Sequence, residues 1–513
     1  MDFLQSQRRQ GLIMPTKYGP GPVMKFIRDV GSLSSVRQQH GSGHRIRLAL
    51  GVCIGAALLS PFIQASEAKQ DSAPATLDEQ HSTSNVRMRS TSSKNAFFVP
   101  VKPQPEAALY CFGDNDGLTV PGCAEIRAPY PLAVPCFDRR GVQSITFGQR
   151  QAAAVTKKGD VYAWGALYEA DGAIQSDPRL VVSGGGVIDM ACGGDALYCL
   201  ASGGHVYKVN ASTDAVEHPQ NIGWFSGGVT VTQPEGLALR EKIVQLTSGK
   251  GHLMALTNKG QLFGMVYSDT GNSLGQLGLG HTEPVKADVW HKVDLAEGDE
   301  VVEVACGSNH TLALTEKNDI LTFGHNNLLQ LGQGEFDLGS VGYTALPTRI
   351  NTPWWPNTRT RDSKVLKIAA GGDCSAVVLQ SQSPQGVVLK MFGSGLSGTL
   401  GNSQYRHAVG IPTSVKTVSG LTQYDEGSQS TTAITVKDLC IGEGSVCVTL
   451  DTDDTYAWGA NARYQLGDST IVNRSKPVLV LSKTGDRGYM QIPVKGEDTK
   501  VVLAGNNGAV FKK

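Results

Sequence analysis

The sequence predicts an all-β chain: a seven-bladed β-propeller closed by a seam between N-terminal and C-terminal strands, preceded by a leader and a single membrane span. Three observations predict it. A hairpin-like stretch recurs along the chain, a glycine recurs at one place in each copy, and the last copy is divided between the two ends.

The clearest copy is Ala305 to Gly324, with apolar Leu312 and Leu314, a polar turn at Glu316 to Asp319, and a second run from Ile320 to Phe323 closed by Gly324. Further copies start at Phe147, Ala191, Ser248, Ala370 and Ile441. The final one, Ala504 to Phe511, stops after one strand, and its missing half stands at Leu109 to Gly113 as L-Y-C-F-G. Pairing strands from both ends would remove an exposed sheet edge. The anchor glycines are Gly148, Gly193, Gly249, Gly307, Gly371, Gly442 and Gly505, spaced by 45, 56, 58, 64, 71 and 63 residues. Such periods suit blades of about four strands with insertions. Glycines are expected near a propeller axis, where inner strands crowd.

Several copies share more than the glycine. Gly307 to Leu314 reads G-S-N-H-T-L-A-L, Gly249 to Leu256 reads G-K-G-H-L-M-A-L, and two copies end in A-W-G at Gly165 and Gly459. Past the hairpin come N-S-L-G-Q-L-G at Asn272 to Gly278, N-N-L-L-Q-L-G at Asn326 to Gly332, and N-A-R-Y-Q-L-G at Asn461 to Gly467. The pattern resembles the regulator of chromosome condensation family, over residues 105–513. The resemblance implies a seven-bladed propeller.

The 61 glycines and the modest charge fit a turn-rich all-β protein. Net charge is zero, but residues 1–47 hold eight basic residues against Asp2 and Asp29, so 38 basic and 44 acidic remain beyond them. A mildly acidic propeller does not suit nucleic acid, since phosphate binding needs a basic face. The family's founding member acts on chromatin and a nuclear small GTPase; the charge balance argues against carrying over the chromatin part.

Residues 1–47 are basic, poor in acids and rich in Ser, Gln and Gly, which reads as a mitochondrial presequence; the alternative is a basic tail. Residues 48–65 form an uncharged apolar run, close to the ~20 residues that a membrane span needs. An inner-membrane anchor is the preferred reading. A secretory signal-anchor, with N-x-S/T sites at Asn210, Asn309 and Asn473, and a removed leader stay open. Acidic residues just after the run place the propeller in the intermembrane space by positive-inside reasoning, with the matrix as the other choice. Residues 66–104 read as a linker.

Binding is expected on insertions carried by the rigid ring. Asn210 to Arg240 lengthens the second blade and holds Trp224 and Phe225. Gly334 to Asp362, after the fourth blade, holds Trp354 and Trp355 between prolines, and Ser419 to Thr435 is a Ser/Thr/Gly-rich loop. These aromatics are the partner-binding candidates; the plainer reading has them capping a blade face.

No catalytic, cofactor or metal site is expected. Gly393 to Gly398 matches G-x-G-x-x-G, but no helical period follows to receive a pyrophosphate. The ten cysteines include no C-x-x-C, and a disulfide among Cys111, Cys123 and Cys136 stays open. His252 and His310 occupy equivalent positions, which favours a structural hydrogen bond inside a blade. Asp451, Asp453 and Asp454 read as a solvated turn. Six scattered tryptophans do not make the dense cluster a light sensor would need. A non-enzymatic scaffold for protein partners follows. Mitochondrial proteins that look like this one imply support of respiratory-chain assembly, notably of complex III, or of the mitochondrial ribosome. The rival is a guanine-nucleotide exchange factor, with Asn210 to Arg240 as its candidate wedge.

Overall fold

The computed structural model describes residues 104–512, apart from 171–172, 185, 213–216, 218, 222–229, 335–341, 351–362, 383–384, 428, 483–487 and 494–498. The chain divides into two compact units, Met1–Met88 and Arg89–Lys513, and every described residue belongs to the second. The leader, the apolar run 48–65 and the linker as far as residue 103 lie outside the described residues. Among the described residues no helix is long and apolar enough to cross a membrane.

Seven blades form a closed ring, six of them antiparallel four-stranded sheets and blade 1 an antiparallel four-stranded sheet with a short parallel fifth strand. Their inner strands are Val142–Phe147, Val187–Gly193, Ile243–Ser248, Val301–Cys306, Ser363–Gly371, Val436–Ile441 and Thr499–Ala504. Each packs against the next, and the last packs against the first. In blade 4 the chain runs outward through His310–Thr315 and Ile320–His325 to Tyr343–Arg349. Blade 7 is the seam: Thr499–Ala504 and Asn507–Lys512 from the C-terminal end meet Leu109–Asp114 and Arg127–Ala133. Leu109 faces Phe511 and Gly113 faces Asn507.

The core is seven apolar clusters, each shared by two neighbouring blades. A second strand is therefore buried on both faces. His310–Thr315 and Ser445–Leu450 are buried at every position, so these strands read as continuous apolar runs rather than the alternation of a one-sided sheet.

The Q-L-G turns also bridge blades. Their leucines, Leu277, Leu331 and Leu466, are fully buried, as is Leu400 in the related T-L-G. The following glycines adopt φ of +70°, +64°, +62° and, at Gly401, +62°. A Cβ there would come within 2.7–3.1 Å of a third-strand aromatic of the next blade: Phe323, Phe392, Phe112 and Trp458. The leading asparagine holds the turn through its Oδ1, which accepts from the N–H of Leu277, Leu331 or Leu466. Asn115 does the same for Val120 in the seam blade, where sequence reading saw no such motif. The tryptophans of A-W-G donate across the same boundary, Trp164 to Thr119 O at 2.9 Å and Trp458 to Thr399 O at 2.7 Å. Trp458→Phe keeps most of the burial and strands a carbonyl. It is expected to cost about 1–3 kcal/mol in denaturant unfolding.

The two histidines correct an expectation. Their hydrogen bonds run between blades, not inside one. His252 Nε2 meets Thr311 Oγ1 of the next blade at 3.1 Å, and His310 Nε2 meets Ser375 Oγ at 2.9 Å. Each hydroxyl donates its single proton to a carbonyl, Gln276 O or Gln330 O. The imidazoles therefore donate from Nε2. Among the described residues, Nδ1 of each is buried with no hydrogen-bond partner. Burial holds His252 down to about 3 and His310 to about 4. The glycines fit the same arrangement. A Cβ on Gly307 would sit 2.0 Å from the His310 ring, and one on Gly371 would sit 2.1 Å from Ile441 O of the next blade.

Three further readings change. Gly505 is one place beyond the anchor position, since Ala504 pairs with Asn507 as Gly371 pairs with Cys374; Gly505 and Gly372 share a φ near +55°, at +56° and +53°. Part of Gly334 to Asp362, Tyr343–Arg349, is the outer strand of blade 4. Within Ser419 to Thr435 the chain makes a hairpin, Thr422–Asp425 with Ser430–Ala433. The Asp451–Asp454 turn joins two strands at the surface as expected, with Asp451 accepting from Thr435 and Asp453 pairing with Lys437 at 2.7 Å.

Candidate partner-binding surface

Trp224, Phe225, Trp354 and Trp355 lie outside the described residues. The strands that flank them settle where their segments leave the ring. Val206–Asn210 ends beside Ala196, on the face that carries the inner-to-second-strand turns. Tyr343–Arg349 ends beside Leu321, on the opposite face, where the chain enters each inner strand. The segment after Asn210 and the segment after Arg349 thus depart from opposite faces. The Asn210 to Arg240 insertion also contributes Gln220–Asn221, a fifth strand parallel to the outer strand of blade 1.

The entry face carries a feature that sequence reading missed. Six inner strands shift register at one place, between Val142/Ser144, Val187/Asp189, Ile243/Gln245, Val301/Glu303, Val365/Lys367 and Val436/Asp438. A bulge leaves one residue out of the ladder. Those residues are Gln143, Ile188, Val244, Val302, Leu366 and Lys437. On blades 2 to 5 they are aliphatic and exposed, by 37%, 43%, 53% and 40%. Four successive blades therefore present an apolar arc at the entry end of the inner-strand ring. A run of exposed aliphatics in register is informative where a single one is not.

One residue further in, every blade places a polar side chain: Ser144, Asp189, Gln245, Glu303, Lys367, Asp438 and Lys500. Most reach toward the next blade. Ser144 Oγ donates to Asp189 at 2.9 Å, and Gln245 Nε2 donates to Val304 O at 2.9 Å. Glu303 accepts from Ile368 N at 3.2 Å. Asp438 pairs with Lys367 at 3.6 Å and with Lys500 at 3.0 Å. Burial raises the carboxyls of Asp189 and Glu303 above their usual range, against the hydrogen bonds that they accept. This belt makes the base of the arc rigid. Its signal was legible as a polar residue four places before each anchor position, once Ala504 replaces Gly505 as the seventh anchor.

The hairpin Thr422–Asp425/Ser430–Ala433 rises from the same face, between blades 5 and 6. Leu421 and Ile434 root it in the core, and its tip exposes Tyr424.

The tempting chemistry resolves into structure. After Gly395 come two successive turns, with Gly398 N donating to Gly395 O and Gly401 N to Gly398 O. A Cβ on Gly398 would meet the Ser475 backbone at 2.7 Å, so blade 6 occupies the space a phosphate would need. Among the described residues no three His, Cys, Asp or Glu are grouped to hold a metal. Cys111, Cys123 and Cys136 are free thiols.

Comparison with known proteins agrees with this architecture. Residues 301–330 match the regulator of chromosome condensation (RCC1) repeat, and residues 264–314 and 453–492 match a second description of that repeat. The matches fall on blades 3, 4 and 6, where G-x-x-H, A-W-G and Q-L-G are clearest. The Arabidopsis thaliana ultraviolet-B receptor UVR8 is 30% identical over 221 residues, 40% of this chain and 46% of that protein. The RCC1 domain-containing protein RUG3, mitochondrial, of the same plant is 28% identical over 290 residues, 53% of this chain and 59% of that protein. The chain thus spans about half the length of these relatives. Among solved structures, human WBSCR16 superposes with a TM-score of 0.59 at 18% identity, over 79% of this chain and 98% of that one. Prp20p from Saccharomyces cerevisiae gives 0.56 at 18% identity, over 80% and 92%. At these identities the two structures speak for the propeller fold alone.

Proposed function

We propose that this chain is a non-enzymatic scaffold in mitochondria that docks a protein partner on the entry face of its propeller. The single observation that carries the reading is the apolar arc of Ile188, Val244, Val302 and Leu366 on four successive blades. A rigid, partly apolar patch on closed strands suits protein recognition, where a few central side chains carry most of the affinity. Residues 48–65 anchor the chain in the inner membrane as a single span, and residues 1–47 direct it there. The partner is a subunit or assembly factor of a respiratory complex of the complex III type, or of the mitochondrial ribosome. The basic leader supports the mitochondrial setting, as does the word mitochondrial in the name of the relative RUG3.

Full-length chain carrying Val244→Glu and Val302→Glu tests the surface. Both side chains are exposed, so folding should be unchanged. Recovery of respiratory or ribosomal proteins from gently solubilised mitochondria is expected to fall at least tenfold, as for loss of a ~2 kcal/mol hot spot. Trp354→Ala with Trp355→Ala, in the segment that follows Tyr343–Arg349, forms a second arm. Undiminished recovery with both would refute the docking surface.

The exchange-factor reading gains an element of its own in the projecting hairpin with Tyr424. The structural relative Prp20p binds Gsp1p and histones. If this chain were an exchange factor, nucleotide release from a mitochondrial GTPase would accelerate in its presence and slow again with Tyr424→Ala. A scaffold leaves the release rate unchanged.

A further inference from the structure

We propose that Cys440 and Cys447 form a reversible intrachain disulfide, a redox modification site set where blade 6 meets the seam blade. Cys440 is the penultimate residue of the inner strand Val436–Ile441, and Cys447 lies directly opposite on Ser445–Leu450. The bond from Gly442 N to Ser445 O fixes the phase of this ladder. Two residues further along, Cys440 and Cys447 are again a hydrogen-bonded pair, with Cα atoms about 5.5 Å apart. That Cα separation lies within the range a disulfide spans, about 4.4–6.8 Å, while the Cβ separation of opposed residues, about 4.5–5.5 Å, exceeds the ~3.8 Å of a relaxed disulfide, so the closed bond is strained and readily reduced. Side chains of directly opposed residues emerge on one side of the sheet, so the two sulfurs face each other. The Cys440 sulfur also lies 3.9 Å from Cys447 O.

The other cysteines are placed differently. Cys192 and Cys199 share a core cluster but face Leu197 and Met190, and both are buried. Cys306 and Cys374 lie in different blades. Cys440 is only half-buried, which gives a small oxidant access to one sulfur of the pair, while Cys447 behind it is buried.

The reaction needs a low-molecular-weight disulfide such as glutathione disulfide. The Cys440 thiolate attacks one sulfur of that oxidant, forming a mixed disulfide and expelling one glutathione thiolate. Cys447, losing its proton to water, then attacks the Cys440 sulfur and expels the second glutathione thiolate. Two protein thiols are oxidised and one glutathione disulfide is reduced to two glutathiones.

The consequence lies across the blade boundary. The Cys440 sulfur accepts from Leu503 N at 3.2 Å and donates to Val501 O at 3.6 Å. Both partners belong to Thr499–Ala504, the inner strand of the seam. Turning that sulfur onto Cys447 removes both contacts. Oxidation would thus strengthen the blade 6 hairpin and loosen its hold on the strand that closes the ring.

The test equilibrates the purified full-length chain with graded glutathione and glutathione disulfide, traps free thiols with N-ethylmaleimide, and maps tryptic peptides. Both cysteines fall in one peptide, Asp438 to Arg463. The expected result is a fraction of that peptide lacking two hydrogens and both alkyl groups, at ratios where Cys123 and Cys136 remain alkylated. Amide exchange at Leu503 should quicken severalfold in the same samples, a readout that a merely buried thiol would not move. Cys447→Ser should halt the reaction at a glutathionylated Cys440. Alkylation of both cysteines at every ratio, or stable glutathionylation of Cys440 in the unaltered chain, would overturn the proposal.

Discussion

Gly371→Ala is expected to cost about 3 kcal/mol or to prevent closure of the ring, at the upper end of overpacking effects. The new methyl group would lie 2.1 Å from Ile441 O and 2.6 Å from Ile441 C. Both atoms are backbone of the next inner strand, so no side chain can rotate aside. A closed ring transmits the displacement to every neighbour. Gly251→Ala is the control, because nothing lies within 4 Å of its added Cβ. That substitution should be neutral or stabilise by about 0.4–1 kcal/mol through the unfolded chain. Opposite signs at the two sites in chemical denaturation would confirm that the axis, and not glycine content, limits packing. Equal small effects would mean that the inner strands are further apart than described.

Acid is expected to destabilise the propeller through its two inter-blade histidines. Burial depresses His252 to about 3 and His310 to about 4 in the folded chain, against about 6.5 when unfolded. The folded state therefore holds both neutral, while the unfolded state takes up protons as pH falls below about 6.5. Their contribution is complete above that pH. It declines by about 1.4 kcal/mol per pH unit per histidine until each folded value is reached. By pH ~4.5 the combined loss is about 5 kcal/mol. Asp189 and Glu303, raised by burial, act in the opposite sense within the carboxylate range. A His252→Gln, His310→Gln chain keeps those carboxylates, so the difference between the two stability profiles isolates the imidazoles. The variant should start less stable at pH 7.5 and lose much less between pH 6.5 and 4.5. Parallel profiles would contradict the buried neutral histidines.

Much of the fold was legible because a propeller repeats its constraints. Glycine before a G-x-x-H turn, A-W-G at a third strand and N-x-x-G-Q-L-G beyond it each answer to a contact between blades, so each recurs. The split last copy was legible because Asn507–Lys512, the second strand of its blade, finds its third strand in the distant Leu109–Asp114. What was missed has the same cause seen from the other side. Sequence reading treated each copy as self-contained and so put the His252 and His310 bonds inside a blade, while their partners Thr311 and Ser375 stand one repeat further on. Asn115 escaped notice because the seam blade ends its turn in Thr119-Val120 rather than Q-L-G. The arc of Ile188, Val244, Val302 and Leu366 was hidden because a bulge turns out residues that a strict alternation counts as ladder positions. Tryptophans in Pro-bounded or lengthened loops drew attention by composition. The described surface adds small aliphatics whose meaning comes only from the ring that aligns them.

The most direct test of the docking surface is site-specific photocrosslinking. A photoreactive amino acid is placed at Val302 on the entry face or at Lys250 on the opposite face of the full-length chain, in intact mitochondria. The proposed function expects a discrete crosslinked protein from position 302, identified by mass spectrometry as a respiratory-complex or ribosomal component, and little from position 250. Crosslinks from Lys250 alone, the same proteins from both positions, or a chain absent from mitochondria would contradict it.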